Sequence, residues 1–285
     1  MIKLLKLGVQ ASSAGKFYSS VDRAKKLECN TMQIFARNPR MFRKVSLDEE
    51  NIKIFKQKVK KEKISPVVVH IPYTLNLASS WIKFYKLTIK DFIDDLVEAD
   101  KLGADYLVTH MGSFKGGTER RGLLRIAHAL EKILQETKGV KTNILMENTS
   151  GSGRWLGYKF SHFKEVFENI KWSKRVGVCL DTAHAWAAGY KINTQEGLDE
   201  LINEIKNEVG LDRIKVIHLN DTLEKLGSKN DRHYDIGAGC IGKKGFELIL
   251  RNEVFRNLVF ILETPKKTDE DDMRNLEVVR KLYNG

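Results

Sequence analysis

The chain alternates between short apolar runs and longer segments whose apolar positions recur with helical spacing. Each apolar run is short and unbroken, which is typical of a strand buried on both faces of a parallel sheet. We predict strands near residues 5–10, 32–35, 66–70, 106–110, 143–148, 176–181, 214–219 and 258–263. We predict helices near residues 19–29, 47–63, 82–102, 118–137, 161–169, 194–209, 244–252 and 269–283.

Eight strand–helix units therefore follow one another along residues 1–285, with no linker and no change of composition between them. This order predicts an α/β fold made of one domain, a single (β/α)8 TIM barrel, which typically takes about 250 residues. Its active site is expected at the carboxyl ends of the parallel strands. A doubly wound sheet is the alternative, but no G-x-G-x-x-G motif follows a strand to support it.

Most of the predicted strands end in a residue that can bind a metal ion. The apolar run 176–180 ends in Asp181, and His184 follows across the strand end and turn. A charge at the end of a buried strand is unfavourable unless something pairs with it. Five other apolar runs end in the same way, at His70, His110, Glu147, His218 and Glu263. We therefore predict a multinuclear metal site where these strand ends meet.

The long loop after the seventh strand adds two further candidate ligands in a D-x-H motif. The full candidate set has five imidazoles and four carboxylates: His70, His110, Glu147, Asp181, His184, His218, Asp231, His233 and Glu263. Mixed nitrogen and oxygen ligands favour zinc or manganese over magnesium, which prefers oxygen ligands alone. His128 and His162 lie in or near helical segments, and we expect both to be structural.

The number of candidate ligands bears on the number of ions. Nine ligands exceed the needs of one ion, so two or three ions share them, with at least one carboxylate as a bridge. Three divalent ions against four carboxylates leave a positive charge, which suits a phosphodiester. Two ions would leave the site neutral or negative, and such a site would repel a phosphodiester.

Composition points to a polyanionic partner. Lys and Arg number 49 against 37 Asp and Glu, which gives a formal net charge of +12. A solvated Lys- and Glu-rich surface, as in heat-adapted proteins, is the alternative, but it does not explain the basic excess. The predicted loops beyond the strand ends combine glycine, basic and aromatic residues suited to nucleic acid, at residues 35–40, 71–74, 113–117, 150–155 and 221–235.

The sequence also carries expectations about location. No stretch approaches about eighteen consecutive apolar residues, and the amino-terminal segment is too short and too charged for a signal peptide. The three cysteines, Cys29, Cys179 and Cys240, are odd in number and form no C-x-x-C motif. This usage is typical of a reducing setting, so we expect a cytoplasmic protein with no membrane partner.

Three local motifs give the chain a family resemblance. They are H-I-P-Y-T-L-N-L-A from His70, G-V-C-L-D-T-A-H from Gly177 and H-L-N-D-T-L-E-K-L-G-S-K-N-D-R-H from His218. With Glu147 and Glu263 in register, the whole chain resembles the endonuclease IV family of zinc-dependent apurinic/apyrimidinic endonucleases. The resemblance implies three zinc sites: His70, His110 and Glu147 at the first, Glu147, Asp181, His218 and Glu263 at the second, and His184, Asp231 and His233 at the third.

The resemblance also implies an activity, hydrolysis of the phosphodiester 5′ to an abasic site in double-stranded DNA during base excision repair. The expected nucleophile is a hydroxide that bridges zinc ions, and the products are a 3′-hydroxyl and a 5′-deoxyribose phosphate. Three Zn²⁺ per chain are expected, with Mn²⁺ at one site as an alternative, and removal of 3′-blocking groups as a second activity. Glu147, His110 and Asp231 are expected to be catalytic, and the protein is expected to be a monomer.

Two residues are expected to contact DNA through the same resemblance. Tyr73 and Arg37 would fill the space that the missing base leaves at the lesion. The chain departs from the usual family residues at Pro72, Thr74, Ala183 and Thr222. Because none of these is a candidate metal ligand, the departures concern the fit to DNA rather than the chemistry.

Two other functions are consistent with parts of the sequence. A carbohydrate isomerase or epimerase on the same barrel would need fewer histidines and no basic, aromatic loops. A non-catalytic nucleic-acid binder would explain the basic charge, but it would leave nine candidate metal ligands without a role.

Overall fold

The computed structural model describes residues 5–35 and 48–285. Within these ranges the chain forms eight short strands: β1 (Lys6–Val9), β2 (Met32–Phe35), β3 (Val67–His70), β4 (Tyr106–His110), β5 (Asn143–Glu147), β6 (Val176–Asp181), β7 (Ile214–His218) and β8 (Val259–Leu262). All eight predicted strands are present, and no observed end differs from the predicted one by more than one residue.

The strands form one parallel sheet that nearly closes on itself. Their order is β1-β8-β7-β6-β5-β4-β3-β2, and every neighbouring pair is parallel. The first and last strands in this order meet at a parallel bridge between Gln10 and Gln33. The Ala11 amide donates to the Gln33 carbonyl oxygen at 2.7 Å across the same seam. The predicted (β/α)8 barrel is confirmed.

Helices connect successive strands. Within the described ranges they are α1 (Ser19–Lys26), α2 (Glu49–Lys61), α3 (Ile82–Leu102), α4 (Glu119–Glu136), α5 (Phe160–Glu168), α6 (Thr182–Ala188), α7 (Gln195–Glu208), α8 (Gly242–Arg251) and α9 (Asp269–Asn284). Thr118 and Thr194 begin α4 and α7 by accepting hydrogen bonds from backbone amides of the first turn. In this part of the chain, no helix has both the length and the apolar character needed to cross a membrane.

The short helix α6 was not predicted, since the sequence analysis placed a turn after the sixth strand. Asp181 ends β6 and also caps α6, because its Oδ1 accepts a hydrogen bond from the His184 amide at 2.7 Å. The helix ends at Gly189, whose φ of 114° is accessible to glycine and strained for other residues. This short helix therefore fixes the separation between Asp181 and His184.

Strand alternation directs the candidate ligands into the barrel. An inner apolar layer, separate from the core between sheet and helices, consists of Val68, Val108, Leu145, Cys179, Val216, Val259 and Ile261. Residues two positions apart on a strand face the same side, so each strand that ends in a ligand directs that ligand inward above this layer. On β5, for example, Leu145 lies in the inner layer and Glu147 lies two residues beyond it.

Candidate metal centre

Glu147 lies at the centre of the site. Its carboxylate is buried and contacts four imidazoles through two different oxygens. Its Oε2 lies 3.1 Å from His70 Nε2 and 3.0 Å from His110 Nε2. Its Oε1 lies 3.0 Å from His218 Nδ1 and 3.4 Å from His184 Nδ1. A carboxylate whose oxygens face two separate sets of ligands has the arrangement of a bridge between two ions.

The candidate ligands form three overlapping groups. Within each group the ligand atoms lie within 4.8 Å of one another: His70, His110 and Glu147; Glu147, Asp181, His218 and Glu263; and Asp181, His184 and His233. Asp231 stands beside the third group, with its Oδ1 3.1 Å from His184 Nε2 and 3.6 Å from His233 Nε2. All nine candidate residues therefore converge on one end of the barrel, and Asp181 touches two of the groups.

Hydrogen bonds outside the cluster set the orientation of three imidazoles. In each ring Nδ1 donates to a backbone carbonyl, which leaves Nε2 facing the cluster. The three donations run from His70 to Ile71 at 2.7 Å, from His184 to Asn148 at 2.9 Å and from His233 to Glu263 at 3.2 Å. His233 Nε2 is buried and has no hydrogen-bond partner in the described structure. This unpartnered atom, together with the mixed donor set, fits a site built for metal ions.

His218 presents its other nitrogen to the cluster. Its Nε2 donates to Gln33 Oε1 at 2.8 Å, so its Nδ1 faces Glu147. The Gln33 amide nitrogen donates in turn to Gln10 Oε1 at 2.8 Å and to Glu263 Oε1 at 2.6 Å. Gln33 and Gln10 lie on or just beyond the two strands that supply no ligand. The sequence analysis missed them, although a glutamine between Met32 and Ile34 in an apolar strand was a detectable signal.

Two asparagines that the sequence analysis also missed hold Asp181 in place. Asn148 Oδ1 accepts from the Asp181 amide at 2.6 Å, and Asn148 Nδ2 donates to the Asp181 carbonyl at 3.0 Å. Asn220 Nδ2 donates to the Asp181 carboxylate at 2.7 Å. Asn220 Oδ1 accepts from the Glu263 amide at 2.9 Å, which ties β6 to the end of β8. Each asparagine follows a ligand closely in sequence, and this proximity was the available signal.

The cluster shifts the ionisation of its own members. Although burial opposes ionisation of Glu147, His110 and His218 hold the pKa of that carboxyl well below its usual range. Burial likewise opposes the charged forms of His184 and Asp231. Asp181 nevertheless raises the pKa of His184 well above its usual value, and His184 lowers the pKa of Asp231 to about 2. Without metal, the ionised carboxylates of Glu147 and Asp231 therefore lie beside a protonated His184.

This ionisation predicts that zinc binding to the metal-free protein releases protons and weakens as the pH falls. His184 keeps its proton below its usual pKa of 6.5 and, because that pKa is raised, well above pH 6.5 too. Zinc requires the neutral imidazole, so the apparent affinity should rise with pH through this upper range. Calorimetric titration in buffers of different ionisation enthalpy measures the protons released. An uptake of protons, or no exchange, would contradict the prediction.

Comparison with known proteins establishes the family. The model of the xylose isomerase-like TIM barrel family matches residues 21–282. The protein named probable endonuclease 4 from Chloroflexus aurantiacus is 39% identical over 281 residues, which cover 98% of this chain and 99% of that relative. The chain belongs to the endonuclease IV family. The crystal structure of endonuclease IV from Thermus thermophilus is similar, with a TM-score of 0.86, 32% identity and coverage of 97% of this chain and 98% of that one.

The family assignment decides between the enzyme classes that the sequence left open. A D-tagatose 3-epimerase-like protein has the same fold, with a TM-score of 0.75 and 22% identity over 98% of this chain and 97% of that chain. A likeness at that identity shows the fold alone. Membership of the endonuclease IV family makes this chain a nuclease that acts on phosphodiester bonds, as predicted.

A cavity of about 480 Å³ opens above the candidate metal ligands of this endonuclease IV family member. Tyr73 lies at its rim, 52% exposed, with its ring 5.7 Å from that of His70 and 5.8 Å from that of His110. On the other side of His110, the Trp155 ring lies at 5.7 Å in an edge-to-face arrangement. Two aromatic rings therefore flank the ligands at the cavity mouth. Arg37, the other predicted DNA-contact residue, lies outside the described residues.

The two histidines that were expected to be structural lie away from the three groups. His162 is buried, accepts from the Gly157 amide at 3.0 Å and lies 3.2 Å from Glu119. The His128 ring bonds the Tyr85 hydroxyl at 3.1 Å. Both contacts suit the structural role that was expected. Thr74, one of the departures from the family pattern, has a buried hydroxyl with no hydrogen-bond partner in the described structure.

The long loop of residues 221–242 carries Asp231 and His233, and Asp221 organises it. The buried Asp221 carboxylate accepts hydrogen bonds from five backbone amides: Thr222 and Ile241 on Oδ1 at 2.8 and 3.0 Å, and Gly237, Gly239 and Gly242 on Oδ2 at 3.0, 2.9 and 3.2 Å. A Cβ at position 239 would lie 2.4 Å from the Thr222 carbonyl oxygen. Only glycine therefore allows this close approach.

We expect Asp221→Asn to weaken the third ion group without removing the first two. The new amide nitrogen would face backbone N–H donors, so the free energy of unfolding of the protein should fall by about 1–3 kcal/mol. Zinc content should fall below that of the wild type, because Asp231 and His233 are then held less firmly. Asp199→Asn, an exposed change on α7, is the control. Equal zinc content and thermal midpoints in the two variants would contradict the role of Asp221.

Proposed function

We propose that this endonuclease IV family member hydrolyses the phosphodiester 5′ to an apurinic/apyrimidinic site in double-stranded DNA and acts in base excision repair. The products are a 3′-hydroxyl and a 5′-deoxyribose phosphate, and removal of 3′-blocking groups belongs to the same proposal. The observation that carries it is Glu147, whose two carboxylate oxygens face separate sets of imidazoles in one buried cluster. The relatives that bear the name endonuclease 4 support the reaction class.

The proposed cofactor is three Zn²⁺ per chain, with Mn²⁺ at one site as the alternative. The first ion would be held by His70, His110 and Glu147, the second by Glu147, Asp181, His218 and Glu263, and the third by His184, Asp231 and His233. Bound zinc supplies a Lewis acid that polarises the phosphoryl group and makes water ionisable near pH 7. Glu147, His110 and Asp231 are the proposed catalytic residues: each would hold an ion next to the reacting phosphodiester, and Glu147 would be shared by two ion groups.

The chain holds the candidate imidazole and carboxylate ligands in a fixed arrangement. The imidazoles are oriented by donations to backbone carbonyls and to Gln33, so they need no reorganisation during the reaction. Four carboxylates offset part of the positive charge of three divalent ions. The remainder is available to the phosphodiester, and the general basic excess of the chain adds attraction for the DNA backbone.

The rim of the cavity is suited to an abasic nucleotide. Such a nucleotide has no base to unstack, so moving it out of the duplex avoids much of the few-kcal/mol cost of flipping an intact one. Tyr73 stands at the rim next to His70 and is half-exposed, so its ring is accessible to the DNA stack. We propose Tyr73 and Arg37 as the residues that fill the vacated space.

The test is incision of a synthetic abasic duplex by the zinc-loaded protein, with analysis of the new ends. We expect cleavage that stops with a strong chelator and returns with added zinc, and no cleavage of the same duplex with an intact base. Atomic emission should find about three zinc ions per chain, one for each of the three proposed sites. Ends other than a 3′-hydroxyl and 5′-deoxyribose phosphate, or activity that survives complete metal removal, would overturn the proposal.

A further inference from the structure

A second cavity lies at the opposite end of the barrel from the metal ligands. It measures about 380 Å³, and we call it the amino-end cavity because Tyr106, Asn143 and Val176, which line it, are the first residues of β4, β5 and β6. The ligands that end the strands lie at the other face. The amino-end cavity is also lined by Leu145, Lys174, Arg175, Gly177, Asp212, Arg213 and Lys215. Four of these residues are basic, and one is acidic.

An irregularity in the sheet exposes Lys215 at this cavity. The register between β6 and β7 shifts, so that Val178 pairs with Ile214 and Cys179 pairs with Val216. Lys215 is left without a partner on β6, and it is exposed between two buried neighbours. It lies beside Gly177, where an added Cβ would lie 3.4 Å from Lys215 Cγ and 2.8 Å from the Arg213 carbonyl oxygen. The absence of a side chain at position 177 thus keeps this space open.

Arg175 contributes a fixed guanidinium whose Nε donor is unused. Its Nη1 donates to the Thr137 carbonyl at 2.7 Å and its Nη2 to the Thr142 carbonyl at 3.1 Å. Its Nε is buried and has no hydrogen-bond partner in the described structure. Burial lowers the pKa of Arg175, and Asp100 only partly opposes this effect. The positive charge of Arg175 is therefore incompletely compensated by the chain.

Three other basic residues line the amino-end cavity: Lys174, Arg213 and Lys215. Arg213 donates from Nη1 to the Val176 carbonyl at 3.0 Å, and its guanidinium lies 4.2 Å from the centre of the Phe167 ring, which fixes its plane. Lys174 and Lys215 are exposed and form no ion pair or hydrogen bond with the described part of the chain. Asp212 is the one carboxylate among the lining residues, against four basic side chains.

We propose that the amino-end cavity binds a small anion that bears a terminal phosphate group, up to the size of a mononucleotide. A phosphate offers three oxygens and up to two negative charges, which match cations that approach from several directions better than a planar carboxylate does. The two arginines are preorganised by backbone carbonyls, and the two lysines are unpaired and able to move onto the anion. The volume of the cavity is within the usual range for small-ligand sites.

The test compares two double variants of the zinc-loaded, full-length protein. Lys174→Gln/Lys215→Gln removes two charges at the amino-end cavity. Lys90→Gln/Lys206→Gln removes two exposed charges on α3 and α7 and serves as the matched control. Binding of 5′-AMP and, separately, of inorganic phosphate is measured by calorimetry at constant ionic strength. We expect the cavity variant to bind about tenfold more weakly than the control, because two charge-assisted contacts are lost.

The outcomes distinguish a site for the phosphate group alone from a site for a nucleotide, and two controls test whether the variants are folded and active. Weaker binding of both probes in the cavity variant supports a site for the phosphate group itself, and a larger loss for 5′-AMP supports a nucleotide site. Equal binding in the two variants overturns the proposal. Both variants keep the candidate metal ligands. Equal thermal midpoints and equal incision at an abasic site would show that folding and the metal centre are intact.

Discussion

Replacing Glu147 with glutamine should reduce incision of an abasic duplex by about a thousandfold or more, since it removes a ligand shared by two ion groups. The amide nitrogen of Gln cannot bind a metal ion, and it would face either His70 and His110 or His218 and His184 in place of an oxygen. The variant also loses the negative charge that these imidazoles surround. We expect zinc content to fall from three ions per chain to one, as measured by atomic emission on the variant purified with excess zinc.

The Glu147 experiment needs a control for the loss of a carboxylate as such. Glu200→Gln makes the same chemical change at an exposed position of α7, so it should keep full zinc content and full incision. Circular dichroism reports whether Glu147→Gln retains the barrel. A folded Glu147→Gln protein that holds three zinc ions, or one whose incision rate is within about threefold of the control, is incompatible with a bridging role.

The barrel was predictable because each strand is an unbroken apolar run with a helical segment after it. A parallel sheet buries both faces of its strands, so the pattern leaves few alternatives to a repeated strand–helix unit. The helix α6 was not predictable in this way. It has seven residues, too few for a helical period to be recognised, and it depends on a cap from Asp181 that also belongs to the metal centre.

The candidate ligands were predictable for a related reason. Parallel strands place their carboxyl ends at one face, so charged or imidazole side chains at several strand ends must meet there. The residues that orient them were not found. Gln33 and Asn220 are neutral amides, which occur in many environments, and their roles depend on neighbours up to 230 positions away in the chain. The amino-end cavity was missed similarly, because the shift in register that exposes Lys215 depends on strand pairing.

The grouping of ligands around the third ion is where the sequence and the geometry differ most. The family resemblance assigns Asp231 to this ion together with His184 and His233, whereas the group of closest ligand atoms contains Asp181 instead. Asp231 lies near both imidazoles but is half-exposed, and Asp181 is buried and already bonded to Asn220. An exposed carboxylate at the edge can complete the coordination of the proposed third ion without disturbing the ligands of the second. Substitution of Asp231 should show whether Asp231 or Asp181 supplies the carboxylate of the proposed third ion.

We therefore expect Asp231→Asn to lose one zinc ion of three and to slow abasic-site incision by about a hundredfold, while leaving the other two ions bound. Asp231 is half-exposed and, within the described residues, its side chain bonds no backbone group, so the thermal midpoint of the metal-free protein should fall only by what the contact with His184 contributes. Asp235→Asn, in the same loop, is the control, since its side chain bonds Asn275 instead of a ligand. If Asp231→Asn retains three zinc ions and cleaves as fast as the control, Asp181 alone supplies the carboxylate of the third ion.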